Sequence, residues 1–137
     1  TDVMVGFPGE TAEHFNNTRQ VVRTAAFSRL HVFKYSPRRG TPAAKYPGQV
    51  PPPVKNQRSR LLTELGQELA ANYHRSFLGQ EVNVLFEEVV GSQQAAGLTE
   101  HYVRVTAAGS EQLLGSIAAV EITGLTEDGL FGVVRRS

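Results

Sequence analysis

Cysteine is absent from all 137 residues of the sequence, and this absence excludes several kinds of chemistry. Without thiols the chain cannot form a disulfide framework, a thiolate zinc site, a cysteine nucleophile or a cysteine-ligated iron–sulfur cluster. Long hydrophobic runs are absent too, because no stretch approaches the roughly 20 apolar residues of a membrane-spanning helix. No signal-peptide pattern precedes the first apolar segment. We therefore expect no membrane partner and a cytoplasmic location.

The chain as a whole has almost no excess of either charge, with a net charge of +1, but its charges are unevenly distributed. Residues 1–79 carry eleven Lys and Arg against five Asp and Glu, a net +6. Residues 80–137 carry three against eight, a net −5. A division this sharp indicates two units with different surfaces.

The first 35 residues have the pattern of a strand, a helix and a second strand. Residues 2–7 are nearly continuously apolar, as in a strand covered on both faces, and a Pro-Gly pair ends them. Thr11 is a suitable N-cap for a helix that should end near Phe27. Residues 30–35 then predict a second strand parallel to the first, which completes a βαβ unit.

The remainder predicts an irregular connection, one long helix and a small barrel. Residues 36–53 contain six prolines and two glycines, and apolar residues then recur at helical spacing from Val54 to Phe77, ahead of a C-cap at Gly79. Beyond Gly79 the hydrophobic period changes to two, which predicts about five short strands. A small antiparallel barrel removes the exposed edges of such strands. The expected fold class is therefore α+β, with a βαβ unit, a long helix and a five-stranded antiparallel β-barrel.

The turn from Gly6 to Thr11 is the first candidate binding site. It follows a predicted parallel strand, and α/β proteins bind ligands at the carboxyl ends of such strands. Its glycines allow the backbone to approach a ligand closely, and the following helix N-terminus offers free N–H groups. The alternative is a tight connection that binds nothing. A phosphate-binding P-loop is excluded, because no Gly-Lys-Ser or Gly-Lys-Thr follows.

A basic segment is the second candidate. Between Lys34 and Arg60 the sequence has seven cations and no acid, with Tyr35 and Tyr46 among them. Such cations bind phosphates and such rings stack on unpaired bases, whereas the alternative is a solvated linker and a charged helix face. The four histidines lack metal-ligand spacing, and no nucleophile–base pattern or carboxylate pair stands out. We therefore predict no catalytic and no metal-binding residue in this chain.

An ordered set of motifs resembles the radical S-adenosylmethionine methylthiotransferases. The similarity extends along nearly the whole chain in the right order, and its motifs are DVMVGFPGET at 2–11, LHVFKYS at 30–36, RGTPAA at 39–44, QVP at 49–51 with Lys55 and Arg58, and GLTEHYVRV at 97–105. The last motif resembles the central hairpin of the TRAM domain. Residues 30–33 favour the branch that acts on threonylcarbamoyladenosine in tRNA. The isopentenyladenosine branch is the second choice, and the branch that modifies a ribosomal protein is the third.

The resemblance implies three parts. Residues 1–35 would be the last βαβ unit of a radical-SAM partial (β/α)6 barrel, residues 36–79 a Pro-rich basic connection with a long helix, and residues 80–137 a TRAM-like, OB-like barrel. The implied cofactors of a full-length parent are S-adenosylmethionine and 4Fe–4S clusters, and the implied partner is tRNA, methylthiolated next to the anticodon at position 37. The implied cofactor-binding residues are Val5, Gly6, Phe7, Glu10, Phe33 and Tyr35.

Departures from the family pattern limit what this chain can do. The cluster-binding cysteines are missing, so we expect the chain to be inactive alone, although its full-length parent would be an enzyme. The acidic barrel shifts the expected RNA contacts to the basic segment with one barrel residue, and these contacts are Lys34, Arg38, Arg39, Lys45, Arg58 and Arg104. The apolar faces of a partial barrel predict self-association through residues 1–35, disorder there, or packing against the long helix. A non-enzymatic RNA-binding adaptor is the alternative from another functional class.

Overall fold

The computed structural model describes residues 1–109 and 111–135, in two compact units that comprise residues 1–72 and 73–137. Each unit has a hydrophobic core of its own. The first unit is built from two helices and a two-stranded sheet, and the second from a β-barrel, so the predicted α+β class is confirmed. Within the described ranges, no helix has the length and apolar character needed to cross a membrane.

The first unit begins with the βαβ arrangement that the hydrophobic pattern predicts. Strand β1 spans Asp2–Val5, helix α1 spans Ala12–Ala25 and strand β2 spans His31–Lys34. The two strands pair in parallel over their whole length. The hydroxyl of Thr11 accepts a 3.1 Å hydrogen bond from the N–H of His14, which is the N-cap expected at this residue. The predicted order of strand, helix and strand is therefore confirmed.

Two further helical segments follow β2, and the longer one covers the sheet. They are a 3-10 turn at Pro42–Lys45 and helix α2 at Pro52–Arg75, which continues into the second unit. The core of the first unit joins β1, α1 and α2 through Val5, Phe15, Val22, Leu62, Leu65 and Leu69. Packing against the long helix, one of the three outcomes predicted for residues 1–35, is thus present. The other face of the sheet keeps Met4 and Phe33 about half exposed, at 53% and 51%.

The second unit is a closed barrel of five strands. The strands are β3 at Glu81–Val90, β4 at Gln94–Thr99, β5 at Arg104–Ala108, β6 at Ile117–Leu125 and β7 at Leu130–Val134, with a 3-10 turn at Glu111–Leu113 between β5 and β6. They close in the order β3-β4-β5-β7-β6, and β6 pairs with β3. Alternating inward side chains fill the barrel, among them Val84, Phe86, Val105, Val120, Ile122 and Leu130.

The prediction of a wholly antiparallel barrel is wrong at one pair of strands. β5 and β7 run parallel, with Val105 opposite Leu130, whereas the other four neighbouring pairs are antiparallel. The reason is geometric. A closed ring of five strands cannot alternate in direction all the way round, because five is odd, so at least one pair has to be parallel. Hydrophobic alternation shows the number of strands, but closure decides their directions.

Candidate functional site

The turn between β1 and α1 lies at the carboxyl end of β1. Gly6 and Gly9 have φ of +77° and +86°, which favour glycine. The N–H of Glu10 closes the turn with a 3.0 Å bond to the carbonyl three residues before it. The N–H of Tyr35 donates to the last carbonyl of β1 at 2.8 Å, so the ends of both parallel strands meet. We call residues 5–10 and 33–36 together the strand-end edge.

A nearly buried ion pair holds this turn to α2. The Oε1 of Glu10 accepts from the N–H of Gly6 at 2.9 Å and from the Nη1 of Arg58 at 2.7 Å, and the same Nη1 donates to the carbonyl of Glu10 at 3.0 Å. The side chains of Arg58 and Glu10 are only 11% and 13% exposed. The sequence predicted an RNA contact at Arg58 and a cofactor contact at Glu10, whereas the structure pairs the two side chains with each other.

Lys55, one helical turn before Arg58, packs over the same turn. A Cβ placed on Gly6 would lie 2.2 Å from the Cγ of Lys55, so glycine is required here for close packing as well as for its φ. The Nζ of Lys55 donates to the carbonyl of Tyr35 at 3.0 Å and lies 5.6 Å from the centre of the Tyr35 ring. One lysine therefore contacts the ends of both β1 and β2.

A cavity of about 370 Å³ opens beside the end of β2. Its lining combines apolar and polar side chains, among them Met4, Phe33, Lys34, Tyr35, Arg38 and Thr41. Tyr35 is 8% exposed, and its buried hydroxyl has no hydrogen-bond partner in the described part of the chain. An unpaired buried polar group costs about 1–3 kcal/mol, so such groups are normally paired. A polar ligand group that reached this hydroxyl would remove that cost.

Aromatic rings flank the strand-end edge. The ring of Phe7 lies 5.2 Å from that of Tyr35 and 6.3 Å from that of Tyr46, and both pairs are edge-on. Phe7 is 42% exposed and Tyr46 is 47% exposed. Two rings are therefore accessible to a ligand beside the glycine turn, and one of them, Phe7, packs against the buried ring of Tyr35.

The predicted cofactor-binding residues all lie along the strand-end edge, but three of them, Val5, Gly6 and Tyr35, are buried. The side chain of Val5 is fully buried in the core of the first unit, so only its carbonyl reaches the edge. The cofactor-binding residues predicted from the sequence did not include Met4 and Thr41, which line the cavity. Strand alternation was an available signal for Met4, because the neighbour of a buried strand residue lies on the other face. Thr41 comes from an irregular loop, and no sequence signal identifies it.

The predicted RNA contacts divide into paired and unpaired cations. Arg38, Arg39 and Lys45 are exposed on the loop before α2 and make no ion pair within residues 1–109 and 111–135. The Nζ of Lys34 donates to the Oδ1 of Asn56 at 2.9 Å and stays exposed. The loop and the end of β2 therefore present exposed positive charge, and none of these four cations has an ion-pair partner among the described residues.

In the barrel, acidic side chains pair with the two cations of residues 80–109 and 111–135, Arg104 and Arg135. Arg104 pairs with Glu88 at 2.6 Å and with Asp128 at 3.4 Å. Arg135 pairs with Glu121 at 2.8 Å, and a second carboxylate lies 3.7 Å from its Nε. The predicted RNA contact at Arg104 therefore carries two carboxylate partners. The described residues contain no group of three or more side chains that could together hold a metal ion.

Comparison with models of protein families finds no match. Comparison with curated proteins finds relatives along nearly the whole chain. The threonylcarbamoyladenosine tRNA methylthiotransferase of Thermotoga maritima is 37% identical over 130 residues, which are 95% of this chain and 30% of that protein. The tRNA-2-methylthio-N(6)-dimethylallyladenosine synthase of Ehrlichia chaffeensis is 38% identical over 138 residues, which are 98% and 31%. The chain belongs to the tRNA methylthiotransferase family.

The chain spans about three tenths of the length of the relatives it matches. A second threonylcarbamoyladenosine tRNA methylthiotransferase, from Bacillus subtilis, is 39% identical over 89% of the chain and 28% of that protein. The resemblance inferred from the motifs is therefore confirmed at the level of the family. Relatives with both substrate names match with nearly equal identity.

Proposed function

We propose that this chain is the part of a tRNA methylthiotransferase that binds S-adenosylmethionine at the strand-end edge and contacts tRNA through the loop before α2. The observation that carries the proposal is the 37% identity to a tRNA methylthiotransferase over 95% of the chain. In this proposal the βαβ unit is the last one of a partial (β/α)6 radical-SAM barrel, and the five-stranded barrel is a TRAM domain. The cytoplasm is the proposed location, since that is where tRNA is modified.

The strand-end edge suits S-adenosylmethionine in two respects. The ring of Phe7, which is 42% exposed, offers an apolar surface for a purine, and the buried hydroxyl of Tyr35 lacks a partner within the described part of the chain. Phe33 adds an apolar wall to the cavity. These residues would hold the cofactor, with the carbonyl of Val5 and the carboxylate of Glu10 shaping the edge.

S-adenosylmethionine and 4Fe–4S clusters supply the methyl group and the one-electron chemistry of methylthiolation. This chain has no cysteine that could hold a cluster. We therefore propose that its own residues bind and orient cofactor and substrate, that the enzyme is a full-length protein, and that the chain alone is inactive. Methylthiolation by the isolated chain would refute this part.

The proposed tRNA contacts are the exposed cations Arg38, Arg39 and Lys45, with Lys34 beside them and Tyr46 as a stacking surface. Phosphate contacts of this kind need accessible cations without carboxylate partners. Arg58 and Arg104 are less suited, because each already pairs with a carboxylate. The substrate we propose is threonylcarbamoyladenosine at position 37, which residues 30–33 favour and which two of the matched relatives name.

Isopentenyladenosine is the second candidate, because a relative at 38% identity is named for the dimethylallyl nucleoside. The deciding experiment uses a full-length methylthiotransferase in which this chain supplies the matching segment. The protein is incubated with S-adenosylmethionine, a reductant and tRNAs that carry either nucleoside, and the digested nucleosides are analysed by mass spectrometry. We expect the 2-methylthio product of threonylcarbamoyladenosine. The dimethylallyl product alone would assign the chain to the other branch. The absence of both products would refute the proposed function.

A further inference from the structure

We propose that Lys55 and Arg58 of α2 are positioning residues for the cofactor and make no contact with RNA. This inference rests on the proposed function. Both residues lie in the basic segment that sequence reasoning treats as one surface. The structure separates them from the exposed cations of the loop, because both side chains reach the strand-end edge and engage its backbone or its carboxylate.

Arg58 fixes the turn at two atoms of one residue. Its Nη1 donates to both the carboxylate and the carbonyl of Glu10, while the same carboxylate oxygen accepts from the N–H of Gly6. The carboxylate therefore ties the first residue of the turn to the last, and the guanidinium compensates its charge in a site with little water. Glu10 and Arg58 are 48 residues apart, so no local structure enforces this contact. The guanidinium of Arg58 also lies over the Phe15 ring, 5.6 Å from its centre, and this contact restrains it further.

Lys55 fixes the second strand relative to the first. Its alkyl chain occupies the space that a side chain at position 6 would need, and its Nζ donates to the carbonyl of Tyr35. Tyr35 is also the residue whose buried hydroxyl has no partner among residues 1–109 and 111–135. The lysine therefore links the glycine turn to the backbone of Tyr35 at the end of β2.

The spacing of three residues places both side chains on one face of α2. If either contact is lost, the turn and Tyr35 lose one of the contacts that restrain them, although the bond from the N–H of Tyr35 to the carbonyl of Val5 remains. A ligand that touches both then has to order them when it binds, which lowers its affinity. The effect should fall on S-adenosylmethionine and leave the contacts of tRNA with the loop unchanged.

The test uses the full-length methylthiotransferase that carries this chain, with Arg58→Met, Arg58→Lys, Lys55→Met and the control Arg60→Met. Lys55→Met keeps an alkyl chain over Gly6 and removes only the ammonium group. Arg60 is an exposed cation two residues further along α2. The readouts are the Kd for S-adenosylmethionine by equilibrium dialysis, the KM for tRNA with its salt dependence, and the melting temperature.

For Arg58→Met and Lys55→Met we expect a rise of about tenfold or more in the Kd for S-adenosylmethionine. The KM for tRNA should not change, Arg58→Lys should recover part of the affinity, and Arg60→Met should bind the cofactor normally. A higher KM for tRNA with unchanged cofactor affinity would overturn the inference in favour of an RNA contact. A lower melting temperature with both constants unchanged would overturn it in favour of a purely structural role.

Three further outcomes keep the proposals distinguishable. If Arg58→Met does not fold, Lys55→Met decides the question by the same criteria. If the unsubstituted protein binds tRNA but not S-adenosylmethionine, the proposed function itself fails. If it binds both and the variants behave like Arg60→Met, only the positioning role fails.

Discussion

Gly6 is the residue at which the geometry of the strand-end edge can be tested most directly, by the substitution Gly6→Ala. Alanine at φ +77° costs about 1–2 kcal/mol in backbone strain. Its Cβ would also lie 2.2 Å from the Cγ and 2.5 Å from the Cδ of Lys55, an overlap that forces a shift worth about 1–3 kcal/mol. Reduced freedom of the unfolded chain returns about 0.4–1 kcal/mol. The free energy of unfolding of the first unit should therefore fall by about 2–4 kcal/mol.

Gly9 provides the matched control on the same turn. It has a φ of +86°, but nothing lies within 4 Å of a Cβ placed on it. Gly9→Ala should therefore carry only the backbone strain, and the difference between the two variants measures the overlap with Lys55. Adding Lys55→Ala to Gly6→Ala should remove most of that difference. The measurement is urea unfolding of the 137-residue chain followed by circular dichroism at 222 nm, because α1 and most of α2 belong to the first unit. Equal losses for Gly6→Ala and Gly9→Ala would refute the reasoning.

Three other predictions concern single side chains. Tyr35→Phe removes an unpaired buried hydroxyl, so it should leave the isolated chain as stable or more stable, by up to about 1–3 kcal/mol, while the full-length protein binds S-adenosylmethionine more weakly in dialysis. Arg38→Ala and Arg39→Ala should each reduce the slope of log affinity for tRNA against log salt by about 0.7–0.9, and Arg104→Ala should leave it unchanged. Burial lowers the pKa of His74 below its usual 6.5, and the carboxylate of Asp128 raises it by a smaller amount. Between the pKa of His74 in the unfolded chain and its lowered pKa in the folded chain, the unfolded chain binds more protons. The second unit should therefore lose stability as the pH falls from 6.5 through the lowered pKa. His74→Gln should flatten this dependence in urea titrations at a series of pH values.

Much of the fold could be predicted because it depends on local patterns. The apolar run of β1, the N-cap at Thr11 and the change of hydrophobic period after Gly79 are properties of neighbouring residues, and they correctly predict the order of the elements. The parallel pairing of β5 with β7 could not be obtained in the same way. It follows from closure of five strands into a ring, which is a property of the whole barrel.

In the candidate site too, some features could be predicted from local sequence and others depend on the whole fold. The glycine turn could be located because its composition, its position after a strand and its resemblance to a family all coincide. The roles of the cations could not be assigned, because Arg38 and Arg58 look alike in a basic segment without acids. What distinguishes them is a carboxylate 48 residues away from Arg58, and nothing near Arg58 in the sequence predicts that contact.

The sequence by itself determined the resemblance to the tRNA methylthiotransferase family and the absence of cysteine, because family motifs and the absence of a residue type are both read along the chain. It also determined the elements, because hydrophobic period and capping act over a few residues. Only the tertiary structure decided which cations are accessible, which side chains fill the space over Gly6 and which hydroxyl lacks a partner. Those properties depend on atoms brought together across dozens of residues, and packing decides them once the chain has folded.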